Sequence, residues 1–101
     1  MVIAAISVVP VGTKTASLSS HVAKALRVVK QMKGINYHLT AMGTIIEGEL
    51  DAVLTAIRKM HESLFDQEVQ RVVTTVMIDD RRDKQLSMAY KVESVMKKMA
   101  Q

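Results

Sequence analysis

No cysteine occurs among the 101 residues, so neither a disulfide nor a thiolate metal site can form, and the absence fits a reducing, cytoplasmic setting. The aromatics are three, Tyr37, Phe65 and Tyr90, too few to build a base-stacking platform for nucleic acid. Charge of one sign does not dominate either: 14 basic and 10 acidic side chains are mostly interspersed, giving a net +4 without the clustered basic face of a nucleic-acid binder. No apolar run approaches the roughly 18 residues needed to cross a bilayer, so no membrane partner is expected. What the chain does have is 49% hydrophobic residues and a single proline, ample material for the core of one domain over residues 1–101. Its start, "MVIAAISVVPVG", has no basic segment ahead of the apolar stretch and reads as a first strand, not a signal peptide.

That first strand spans Met1 to Pro10 and stops at "PVG", where Pro10 cannot donate to a ladder and Gly12 permits a turn. In "SLSSHVAKALRVVKQMKG", Leu18, Val22, Ala25, Leu26, Val29 and Met32 recur at helical spacing. Serines stand at its entrance as candidate caps and Gly34 lies past its end. Two short extended runs, "INYHLTAM" and "TIIEGE", meet at Gly43 and read as a hairpin. A second helix is predicted from Leu50 to Phe65, with Leu50, Val53, Leu54, Ile57, Met60 and Leu64 as its inner stripe. "RVVTTVMI" supplies a fourth strand, and Leu86 to Met99 a third helix. The order predicts an α+β fold, a ferredoxin-like βαββαβ sandwich with an additional C-terminal helix.

Both faces of the first strand are apolar, with Val2, Ala4, Ile6 and Val8 on one side and Ile3, Ala5, Ser7 and Val9 on the other. Helices of a two-layer domain cover one face only, so something must cover the second. The third helix is one candidate. A partner subunit is the preferred one, because a short helix covers only part of a four-stranded face.

The polar residues give little sign of catalysis. His21, His38 and His61 fall on different predicted elements without helical metal-ligand spacing, and read as surface or interface histidines. Gly12 and Gly43 are lone turn glycines that form no phosphate-cradling loop, and no nucleophile elbow accompanies the serines. In "MIDDRRDK", Asp79 and Asp80 end a strand, Asp83 is placed to cap the last helix, and Arg81 and Arg82 can neutralise the aspartates or reach a neighbouring subunit. Neighbouring carboxylates on a strand end point apart, which is poor geometry for acid–base work.

Four blocks in order, "VVPVGTKTASLSSHV", "AMGTIIEGEL", "RVVTTVMIDDRRD" and "KVESV", resemble those of the small thiamine-binding, YkoF-like protein family. The resemblance implies a ferredoxin-like fold, homodimers paired into homotetramers, and binding of thiamine or its aminopyrimidine part without catalysis. Ala41 departs from the glycine the family commonly has before "MGT" and would narrow the space at that turn. Thiamine joins a cationic thiazolium to an aminopyrimidine, so its site is expected to offer apolar walls and an acceptor for the exocyclic amine, with a carboxylate as an additional complement to the cation. Glu47, in the apolar run "TIIEGEL", is the candidate carboxylate; its structural alternative is to complement the dipole of the second helix. Thr13, Ser19, Thr44 and Thr75 are candidate hydroxyls and Met42 a flexible wall. The expectation is therefore a binding protein with no catalytic residue, no metal and no cofactor beyond thiamine as ligand. The alternative is a regulatory or structural module that binds an amino acid or a protein partner.

Overall fold

Alternation along β1 (Val2–Pro10) sorts its side chains into a buried set on even positions and a half-buried set on odd ones. The computed structural model describes residues 1–101 and places this strand inside a four-stranded antiparallel sheet of order β2-β3-β1-β4. The flanking elements follow as α1 (Ser19–Lys30), β2 (Asn36–Thr40), β3 (Gly43–Gly48), α2 (Leu50–Ser63), β4 (Val72–Asp80) and α3 (Met88–Met99). This is the ferredoxin-like arrangement with one added helix that the order of elements predicts.

The even face carries the core. Ala4 and Ile6 of β1 and Ile46 of β3 pack with Ala25 and Val29 of α1 and with Val53, Ala56 and Met60 of α2. Leu54 departs from the predicted inner stripe and faces solvent, because Ala56 occupies the inward position of that turn and a small residue lets α2 approach the sheet. Close approach is sharpest at Gly48, where a Cβ would stand 2.6 Å from the Gly34 carbonyl oxygen and 2.9 Å from Ile35 Cδ1. Gly48→Ala is therefore expected to lower stability by about 1–3 kcal/mol, the usual cost of overpacking. Urea denaturation measures it, and an unchanged midpoint would show that the α1–β2 connection moves aside freely.

Helix entrances differ from the sequence expectation. No serine caps α1: its N-cap is Leu18, whose carbonyl accepts from the His21 and Val22 amides, while Ser17 turns back to Thr15. Nor does Asp83 cap α3. That role belongs to Ser87, which accepts from the Tyr90 amide at 3.0 Å, because Asp83 is engaged by Arg81 and lies a full turn too early.

The odd face of the sheet is left largely open. Met77, on the edge strand β4, is 73% exposed and Val73 on the same strand is also exposed. Helix α3 starts over one corner of this face and then runs off the body, leaving Val92, Val95, Met96 and Met99 exposed. The chain accordingly measures 51 × 29 × 20 Å with a radius of gyration of 15.1 Å, against about 13 Å for a compact domain of this length. No helix is long and apolar enough to cross a membrane.

Candidate functional site

Strands of unequal length build the site. β4 pairs with all of β1, from Val2 to Pro10, but β3 pairs only with Val2 to Ile6, so the edge of β1 beyond Ile6 has a neighbour on one side alone. The hairpin turns back at this point. Thr40 holds the turn, donating to the Gly43 carbonyl at 2.7 Å and accepting from the Met42 amide at 3.2 Å. Gly43 is required there: its φ is +150°, and a Cβ would meet the Ile6 carbonyl oxygen at 2.9 Å.

The missing stretch of strand opens a notch. On the helical side a cavity of about 280 Å³ lies between α1 and the hairpin end, walled by Leu18, Val22, Ala25, Leu39 and Met60 with Val8 and Thr44 at its back. On the open face a second cavity of about 240 Å³ is bounded by Ala5, Ile45, Thr75 and Met77. The two share Ser7, Thr40, Met42, Gly43 and Thr44, so they flank one turn. Apolar walls with a few hydroxyls are the character of a small-molecule site, and each cavity has room for a heterocyclic ring.

Of the residues singled out in the sequence, the fold brings three together here. Met42 and Thr44 line both cavities and Thr75 lines the second. Thr13 lies apart, in a polar hollow with His21 and Asp66, and its hydroxyl donates to the Thr15 carbonyl. Ser19 is the exposed first residue of α1 and lines neither cavity. Ser7, Val8 and Val22 appear in the sequence only as strand and helix positions, and their place in the site escaped that reading. The signal that could have found them is length: a nine-residue strand beside a six-residue one must leave part of its edge uncovered.

Glu47 also lines neither cavity, although it is only 8% exposed. Both its oxygens are occupied: Oε2 accepts from the Met88 amide at 2.7 Å and Oε1 from Asn36 Nδ2 at 3.2 Å. Its carboxylate thus complements a helix dipole, as the structural alternative holds, but that of α3 and not of α2. Strand alternation is the reason, since Glu47 pairs with Ile3 and projects onto the open face where α3 begins. Glu47→Ala should release α3: amide exchange over residues 88–92 is expected to accelerate, with a loss of about 1–2 kcal/mol typical of a deleted helix-terminal acceptor. Unchanged exchange would show that Ser87 alone fixes the helix start.

The charged run beyond β4 is consumed internally. Arg81 binds Asp83, Arg82 binds Asp80 at 2.9 Å, and Lys91 of α3 reaches Asp79. Hydrogen bonding from Arg82 and Arg81 holds the Asp80 and Asp83 carboxyls below the usual carboxylate range, and the two guanidinium groups are raised in return. These pairs face water, so they tie the loop locally and add little stability. The run borders a polar cavity of about 410 Å³ at the start of α2, whose three cationic side chains, Arg81, Arg82 and Lys84, suit a cationic ligand less than the notch does. The histidines stay separate, His61 bonding Thr74 at 2.7 Å across the helix–sheet layer.

Comparison with known proteins matches residues 4–96 to the family described as thiamine-binding protein. The UPF0045 protein YqgV of Bacillus subtilis is 43% identical over 100 residues, covering 96% of each chain. The solved structure of hypothetical protein MJ1052 from Methanocaldococcus jannaschii superposes with a TM-score of 0.85 at 37% identity, covering 93% of this chain and 94% of that one. A Thermotoga maritima protein, provisionally described as a thiamine biosynthesis/salvage protein, shares the fold with a TM-score of 0.75 at 22% identity, covering 93% and 97% of the two chains.

Proposed function

The chain belongs to the thiamine-binding protein family, and from that premise we propose that it binds thiamine or its hydroxymethylpyrimidine moiety and releases it unchanged. The observation that carries the reading is the pair of cavities that flank the Thr40–Thr44 turn. Thiamine has two rings joined by one carbon, and two cavities that each have room for a ring flank this turn. Thr44 and Thr75 supply hydroxyls, and Met42 an adaptable thioether wall. Glu47, Thr13 and Ser19 act outside this contact, as clasp, turn and helix entry.

The residues that line the notch are mainly apolar or hydroxyl-bearing, a lining that suits reversible binding of a small molecule. Titration calorimetry with thiamine and with hydroxymethylpyrimidine tests the proposal directly. A saturable heat with either supports it. Silence with both at millimolar ligand, together with a thermal shift answered by amino acids only, would replace it with an amino-acid-binding regulatory module.

Self-association belongs to the same proposal. The open sheet face, with Val73 and Met77, and the outer stripe of α3, with Val92, Val95, Met96 and Met99, expose apolar side chains, and apolar surface gathered on one face marks an interaction site. A second copy offers the complement to both, and the homodimers and homotetramers implied by the sequence blocks follow from covering them. The second cavity, bounded by Thr75 and Met77, would then lie at the boundary between subunits.

A further inference from the structure

We infer that the main chain of Val8, on the uncovered edge of β1, is the group that recognises the ligand's aminopyrimidine ring. The inference deepens the binding role proposed above and rests on it.

In an antiparallel strand each residue turns its N–H and C=O to the same side, and successive residues turn to opposite sides. The structure fixes which residues of β1 face which neighbour. The Val11 amide donates to the Arg71 carbonyl at 2.8 Å, so odd residues address β4. The Ile6 carbonyl oxygen lies 2.9 Å from the point where a Gly43 Cβ would stand, so even residues address β3. Val8 is the next even residue after Ile6, and β3 has already turned away: the last β1–β3 pair is Ile6 with Thr44. No turn, loop or cap hydrogen bond engages Val8. Its N–H and C=O therefore point side by side into the notch, where Val8 lines the apolar cavity.

Pro10 extends the asymmetry. It is the following even residue and has no N–H, so Val8 offers the one donor of this uncovered edge. An aminopyrimidine presents a complementary pair, an exocyclic amine that donates and an adjacent ring nitrogen that accepts. Seated in the plane of the sheet, it would continue the ladder by one step where the hairpin stops. Leu18, Val22 and Ala25 of α1 would cover one face of the ring, and the Thr44 hydroxyl would border it. A buried edge of this kind discriminates strongly, because a ligand lacking one partner leaves a desolvated peptide group unpaired.

The experiment compares three probes by calorimetry on the intact chain: thiamine, hydroxymethylpyrimidine, and the same pyrimidine with hydrogen in place of the exocyclic amine. Nitrogen–proton correlation spectra follow the Val8 amide through each titration. The expected result is binding of the first two, affinity for the third lower by about tenfold or more, and a Val8 amide that shifts strongly and exchanges more slowly with ligand bound. Equal affinity for the third probe, or a Val8 amide unmoved by saturating thiamine, overturns the inference while leaving thiamine binding intact. Absence of binding by all three overturns both.

Discussion

Val22→Trp is expected to abolish useful affinity for thiamine, by about a hundredfold or more, while leaving the fold nearly as stable as before. Val22 is half-buried on α1 and its side chain walls the notch, outside the main core cluster. An indole placed there occupies the space the pyrimidine would take. Excluding that ring forfeits the burial of its apolar surface, at roughly 25 cal/mol per Å² over about 100 Å², or about 2.5 kcal/mol. The helix itself tolerates the change, since Trp and Val have similar helix propensities. Calorimetry and thermal melting together make the check. Retained affinity would place the ligand elsewhere, with the polar cavity beside Arg81 and Arg82 as the next site to test.

The second large effect concerns assembly. Met77→Asp should convert the proposed oligomer to a monomer without unfolding it. Met77 is 73% exposed in the single chain, where an aspartate would be fully hydrated. In an assembly that covers the open face, the same carboxylate would lose its water with Ala5 and then Ile45 across β1, while Lys91, the cation bound to Asp79 on this face, is already paired. Burying an unpaired charge costs several kcal/mol, which corresponds to a thousandfold or greater rise in the dissociation constant. Light scattering coupled to size exclusion reads the mass of both proteins. A wild-type monomer at micromolar concentration would refute association outright. An oligomeric variant would move the interface to α3, whose exposed Val92, Val95, Met96 and Met99 form the other apolar surface.

The composition of this chain and the periodicity of its apolar residues were sufficient for the architecture. β1 announced itself by a dense run of Val, Ile and Ala ended by Pro10, and the helices by stripes at helical spacing, because burial of one face imposes those periods on any sequence that folds this way. Apolar residues on both sides of β1 likewise signalled an open second face before its geometry was known. The destination of individual polar groups was beyond sequence. Glu47 stands two residues before α2's own N-cap, Glu49, and its sequence suggests a ligand carboxylate or a complement to the dipole of that helix, yet the pleat turns it to the opposite face and a contact across 41 positions gives it to Met88. Asp83 and the serines before α1 had the right chemistry for caps, but competing partners and the angle of chain entry decided otherwise. Met42, Thr44 and Thr75 were found together and Thr13 and Ser19 apart for the same reason, that proximity across a sheet depends on register. The notch is the clearest case. It consists of a strand partner that ends early and a main-chain edge without side-chain identity, and only the tertiary pairing of β1 with β3 could show that Val8 is left facing open space.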